Sequence, residues 1–277
     1  MKVFDIHTHT YPEKISEKAV INLGAFYNFV CEGKVTYADL ESQAKENHVH
    51  GYLLFSVATN PVQVPKVNDS IAALAEHSRS QGYLTVGFAG MHQDFEDFEG
   101  EIDRVIALGL QGVKIHPDIQ GVDIDDPRLF RLYEIMEGRI PLYLHMGDNR
   151  PQYRFSEPKK LAHALECFPR LEVVAAHLGG HKSHDEAIEY LSGNERVWYD
   201  TSSALWYQSP EEAGRIIRAL DPDKVMFGTD YPVKNTAGEL ERFFAIPGLT
   251  DTERENILWN NAVRFLHLEE AAKALGL

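Results

Sequence analysis

Hydrophobic positions along the chain gather into eight short runs rich in Val, Ile, Leu, Tyr and Phe, at residues 2–9, 49–58, 83–89, 112–116, 140–145, 172–177, 197–201 and 224–229. Their length and β-branched content predict buried strands. Between them, apolar residues recur at helical spacing in 37–47, 67–81, 98–108, 127–138, 157–167, 185–191, 210–220 and 237–245. Start signals precede several of these: Asp126 before Pro127, Ser156 before Glu157 and Pro158, and Ser209 before Pro210. Strict alternation of strands and helices predicts a parallel α/β sheet, either closed into a (β/α)8 TIM barrel or open and doubly wound. Closure is favoured because no Gly-x-Gly-x-x-Gly follows a strand and because polar residues collect at the C-terminal ends of most strands. Such barrels take ~250 residues, so the 277 residues read as one domain spanning 1–277.

Two segments fall outside the eight units. Residues 10–36 form an excursion after the first strand, with an apolar stretch at 21–30 that contains Phe26, Tyr27 and Phe29. It reads as a lid, an oligomer contact or a packed helix, and it leaves a homodimer open. At the other end, 251–259 and 261–275 predict two extra C-terminal helices.

Composition narrows the partners. With 27 Lys+Arg against 42 Asp+Glu, a formal charge of −15 and no basic run, the chain lacks the footprint that nucleic acid or an anionic membrane surface requires. The longest uncharged stretch, 51–65, is broken by Pro61 and is too short to span a bilayer. Cys31 and Cys167 form no Cys-x-x-Cys pair, and Asp5, His7 and His9 interrupt the start of the chain where a signal peptide would need an apolar core. A cytoplasmic protein is expected.

Candidate chemistry sits at the strand ends. The first run closes in Asp5-Ile6-His7-Thr8-His9. Period-two alternation puts Asp5, His7 and His9 on one face, where two imidazoles can reach one divalent ion at about 2.0–2.1 Å with Asp5 behind them. By the same register argument, His145 and His177 end the fifth and sixth runs, and Asp230 follows the eighth, its carboxylate exposed by the following Tyr231-Pro232. Any one of these could be an ordinary half-exposed His or a turn-capping Asp. Four strands presenting His or Asp at one height point to a shared site. On the fourth run, Lys114 and His116 share a face. A lysine facing into a barrel must be paired, deprotonated or carboxylated, and pairing as a substrate-orienting cation is preferred over a metal-bridging carbamate. His116 either binds substrate or stiffens its loop. Arg150 and Arg154 follow the fifth run, where an Arg pair suits a small anionic substrate; the alternative is a surface ion pair with Glu157. His181, Lys182, Ser202, Ser203 and Trp206 are possible wall residues.

Taken together, Asp5-Ile6-His7-Thr8-His9, Gly112-Val113-Lys114-Ile115-His116-Pro117, Tyr143-Leu144-His145, Ala176-His177-Leu178-Gly179-Gly180 and Phe227-Gly228-Thr229-Asp230-Tyr231-Pro232 resemble the amidohydrolase superfamily, in its amidohydrolase-related branch. That resemblance implies His7, His9 and His145 as ligands of a catalytic divalent metal, with zinc the first expectation and manganese the second. It also implies Asp230 as ligand or proton-shuttling base and His177 as the neighbouring acid–base group. Since the superfamily includes hydrolases and non-oxidative decarboxylases, the expectation ranks a hydrolase of a small carboxylated amide or lactone first. A decarboxylase on the same site comes second and a non-catalytic metal-binding barrel third.

Overall fold

The computed structural model describes residues 1–148 and 150–277. In chain order its strands are β1 (Phe4–His9), β2 (Gly51–Phe55), β3 (Leu84–Gly87), β4 (Ala89–Gly90), β5 (Val113–Ile115), β6 (Leu142–Leu144), β7 (Val173–Ala175), β8 (Val197–Asp200) and β9 (Val225–Met226). All pair in parallel, in the orders β1-β2-β3 and β4 through β9. Only Phe88 separates β3 from β4, so the nine segments are eight barrel strands. The other seam is bridged by backbone hydrogen bonds from Ile6 N–H to the Phe227 carbonyl and from His9 N–H to the Tyr231 carbonyl, each 2.9 Å. The fold is a (β/α)8 barrel.

Helices alternate with the strands as the apolar spacing predicts: α1 (Glu13–Tyr27), α2 (Tyr37–Glu46), α3 (Val64–Ser80), α4 (Phe98–Ala107), α5 (Pro117–Gln120), α6 (Pro127–Met136), α7 (Pro158–Cys167), α8 (His184–Leu191), α9 (Pro210–Leu220) and α10 (Thr236–Phe244). Asp126 and Ser209 cap α6 and α9 through their side chains. Ser156 does not cap α7: Glu157 takes that position, and the Ser156 hydroxyl donates to Asp118 instead. At the C-terminus the two expected helices are further divided, into α11 (Asp251–Glu255), a π turn (Asn256–Asn260), α12 (Asn261–Phe265) and α13 (Glu269–Ala274). The break before α13 falls at His267, whose φ of 53° is outside helical backbone. No helix among the described residues is long and apolar enough to cross a membrane.

Two apolar clusters hold these layers together. One lies between strands and helices and takes Val113, Ile115, Leu142, Leu144, Val173 and Ala175 from the outward faces. The other fills the barrel with Phe4, Ile6, Leu53, Phe55, Val86, Phe88, Tyr143, Val174, Ala176 and Met226, and α12 closes it from below with Val263 and Phe265. This interior cluster corrects the register expected for β1. Phe4 and Ile6 face inward, and a register shift between Asp5 and Thr8 then turns His7 toward the barrel axis. A bulge inserts one residue and re-aims the side chains beyond it, which period-two counting cannot foresee.

Candidate metal centre

Five strand ends deliver the polar residues of the barrel mouth, by two different means. His145 and His116 lie two residues beyond the inward positions Tyr143 and Lys114, so plain alternation places them. His177 has the parity of the outward residues Val173 and Ala175, and reaches the site because His177 and Leu178 adopt left-handed backbone, φ 61° and 53°. Asp230 shares the parity of inward Met226, and its backbone is left-handed too, at φ 59°. For residues with a Cβ this conformation costs about 1–2 kcal/mol each, so packing must over-determine it. Gly228 is required for a related reason: a Cβ there would sit 2.9 Å from the Cβ of His7.

The central feature is a convergence of three ligand atoms. His7 Nε2 and His9 Nε2 are 3.3 Å apart, and Asp230 Oδ1 lies 3.2 Å from the first and 3.5 Å from the second. Ligands at about 2.0–2.1 Å around a tetrahedral ion stand roughly 3.4 Å from one another, so these separations match a divalent cation's first shell. Tautomers agree with this. His7 Nδ1 faces the carboxylate of Asp200 at 2.9 Å and so carries a ring proton, which leaves Nε2 as the nitrogen that an ion would take. Asp230 is steadied by the Ser203 hydroxyl at 2.5 Å. Burial alone would raise its carboxyl, but His7 and His9 hold it well below the usual carboxylate range. Burial opposes charge on His7 too, and Asp230 and Asp200 override it. His9 has less support, and burial pushes it down to about 4.

Beside this group runs a chain of imidazoles. His177 Nδ1 donates to the Ser202 carbonyl at 2.9 Å, so its Nε2 accepts from His145 Nδ1, also at 2.9 Å. His145 Nε2 is therefore another lone pair, 3.5 Å from Asp118 and 3.3 Å from the Tyr27 hydroxyl. His145 stacks on His116 with ring centroids 3.9 Å apart. Burial holds both rings neutral, pushes His177 down to about 4 and lifts the Asp118 carboxyl to about 6. Of the four expected ligands, His7, His9 and Asp230 meet at one point. His145 groups with His116 and Asp118, one hydrogen bond away through His177.

The cations are arranged differently from expectation. Lys114 Nζ is buried with no hydrogen-bond partner and lies over the rings of Phe55 and Tyr143, at 4.6 and 4.3 Å. Instead of pairing with a carboxylate it is desolvated, and burial pushes the ammonium down to about 7. Arg150 forks onto Asp148, donates to the Phe26 carbonyl and stacks on Tyr153 at 4.1 Å, so its donors are engaged in holding α1. Arg154 is exposed and paired with Glu157, the alternative that its spacing had left open. Of the wall residues, Ser202 sits between His7 and His177 at 2.9 Å from each, His181 packs against Trp206 and Tyr207, and Lys182 lies over Tyr207. Asp5 stands behind β1, accepting from the backbone and hydroxyl of Thr229 and from His7 N–H.

Sequence reasoning missed four participants. Asp200 follows inward Trp198 on β8 at period two, a usable signal. Tyr143 donates its hydroxyl to Asp200 and was hidden among apolar strand residues. Asp118 and Tyr27 come from α5 and α1, where no strand register applies.

The amidohydrolase family model matches residues 5–268, and the chain is a member of that family of enzymes. A curated relative, the 2-amino-3-carboxymuconate-6-semialdehyde decarboxylase of Dictyostelium discoideum, is 27% identical over 242 residues, 73% of this chain. The match covers 66% of that relative's length. Among solved structures, an uncharacterised TIM-barrel protein from Bordetella bronchiseptica superposes with a TM-score of 0.76 at 20% identity, over 96% of this chain and 99% of the other. A dihydroxybenzoic acid decarboxylase from Polaromonas, with bound manganese and the inhibitor 2-nitroresorcinol, has the same fold at a TM-score of 0.68 and 17% identity, over 96% and 97%. The residues and the family agree on a site for a divalent metal.

Proposed function

We propose that this protein is a metal-dependent, non-oxidative decarboxylase of a small carboxylated, unsaturated molecule, with His7, His9, His145 and Asp230 as metal ligands. The observation that carries the proposal is the convergence of His7 Nε2, His9 Nε2 and Asp230 Oδ1 at ligand-to-ligand spacing, in a chain whose curated relative is a decarboxylase. This reverses the order of preference drawn from the strand-end motifs, which put hydrolysis first. Imidazole and carboxylate accept zinc and manganese alike, so the ion's identity is left to measurement.

A divalent ion, when bound, supplies Lewis-acid charge that anchors a substrate oxygen and steadies negative charge developing on the substrate. The chain's own groups do the rest. As the carbon–carboxylate bond breaks, CO2 leaves, its electron pair stays on the substrate carbon and one proton must arrive there. His177 is the acid–base group in this reading. Neutral at rest, it takes a proton from solvent on Nε2 once substrate charge enters beside it and its hydrogen bond from His145 opens, then hands that proton to carbon and returns to the neutral form. Asp200 and Ser202 hold the rings of His7 and His177 in place for this. The buried walls limit water that would otherwise screen these charges.

Hydrolysis is the second reading, favoured by the ionised carboxylate of Asp230, which can accept a proton from attacking water although its lowered carboxyl makes it a weak base. One experiment separates the two. Protein purified without chelator is analysed for metal, then offered carboxylated aromatics and muconates alongside lactones and amides. About one metal per chain and CO2 release are expected. Lactone or amide cleavage without CO2 would move the assignment to hydrolysis, and failure to retain any metal after reconstitution would overturn both.

A further inference from the structure

We propose that Tyr27, carried into the barrel mouth by the C-terminal end of α1, is the residue that reads an oxygen substituent of the substrate. The inference rests on the reading of this site as a metal centre for a small carboxylate, and adds the element that selects among such molecules. Its starting point is a tautomer. His116 Nδ1 accepts the backbone N–H of Ile119 at 3.3 Å, so the neutral ring carries its proton on Nε2. That proton points at the Tyr27 hydroxyl, 2.8 Å away. Tyr27 Oη is thus an acceptor toward His116, and its own hydrogen must go elsewhere.

In the structure that hydrogen faces His145 Nε2 at 3.3 Å. When His145 Nε2 serves as a ligand, this acceptor is withdrawn and the phenolic hydrogen faces the space that substrate enters. A phenol ionises only at pH ~10, so Tyr27 is a neutral donor at working pH. The nearby cations are occupied: Arg150 by Asp148 and Phe26, Arg154 by Glu157, and Lys114 by two rings beneath the site. Recognition of a hydroxyl or carbonyl oxygen beside the substrate carboxylate therefore falls to a phenol.

Its position is enforced by Arg150. Within α1 no residue is buried, so the helix is not held by a core of its own. Its end is pinned where the Arg150 guanidinium donates to the Phe26 carbonyl and lies over the rings of Phe26, Tyr27 and Tyr153, at 4.7, 5.3 and 4.1 Å. Arg150 is a positioning residue for Tyr27, and a tyrosine whose hydroxyl is already oriented loses little entropy on binding.

The test is a pair of calorimetric titrations of metal-loaded protein with benzoate and 2-hydroxybenzoate, which differ by one hydroxyl, on wild type, Tyr27→Phe and Arg150→Met. The wild type is expected to bind 2-hydroxybenzoate about 10-fold more tightly than benzoate, the scale of one well-made hydrogen bond. Tyr27→Phe should bring the two within about 3-fold, at unchanged benzoate affinity and metal content. Arg150→Met should weaken 2-hydroxybenzoate more than benzoate. A wild type that binds neither probe or both equally, or a preference that survives in Tyr27→Phe, would overturn the proposal, as would loss of metal from that variant. Because binding is read without turnover, an absence of CO2 release would fail the decarboxylase assignment alone.

Discussion

His7 donates its Nδ1 hydrogen to Asp200 at 2.9 Å, and this single contact decides which nitrogen of the ring faces the barrel mouth. An amide in place of the carboxylate can present its own N–H to Nδ1 and drive the ring proton onto Nε2. Asp200→Asn is therefore expected to weaken metal binding by about 10–100-fold while the fold survives. Competition with a chromophoric chelator measures it, and an affinity equal to wild type would remove Asp200 from the account.

Gly228 lets β9 run against β1 at the height of His7. The Cβ of Gly228→Ala would meet that of His7 at 2.9 Å, closer than side chains tolerate. His7 must shift, and the three-atom convergence opens. Metal retained after dialysis should fall several-fold with a thermal midpoint lowered by only about 2–5 °C; a variant that keeps its full metal complement would show that His7 can move without consequence.

Thr229 ties the last strand to the first by donating its backbone N–H and its hydroxyl to Asp5, at 3.0 and 2.7 Å. Burial pushes the Asp5 carboxyl up to about 7, so it ionises only near neutrality, and the hydroxyl is most needed above that point. Thr229→Val removes one of these donors at nearly constant shape. Urea unfolding should report a loss of about 1.5–3 kcal/mol at pH 8 and less at pH 6. An equal loss at both would contradict titration of Asp5 in this range.

Lys114 contributes a pH dependence of predictable sign. Burial lowers it from 10.5 to about 7, so between these values the unfolded chain holds a proton that the folded chain has released. Native stability consequently gains with rising pH across that window, and the penalty of a buried ammonium is complete only below about pH 7. Lys114→Met should raise the melting temperature by about 5 °C at pH 6. The gain should shrink steadily toward pH 10, and a gain independent of pH would refute a depressed Lys114.

Much of this protein was legible along the chain because its determinants are local. Strand and helix alternation, the caps of α6 and α9, and the motifs ending in His9, His145 and Asp230 follow from period and residue type within a few positions. The converging residues His7, His9 and Asp230 all stand in those motifs. Register was harder. His145 obeyed alternation, but His7 and His177 did not, since a bulge in β1 and left-handed backbone after β7 each changed the face of one residue.

The chain by itself determined the barrel and which strand ends carry imidazole or carboxylate, because buried strands and amphipathic helices state their faces in their spacing. Tertiary structure alone decided how those groups are used. Asp200 fixes a tautomer on His7, Lys114 lies over Phe55 and Tyr143, and Arg150 turns from the site to clasp Phe26, which brings Tyr27 against His116. These are contacts between residues as far as 193 positions apart, as His7 and Asp200 are. Burial, proton position and hydrogen-bond saturation arise only where such distant segments meet, and no local pattern encodes them.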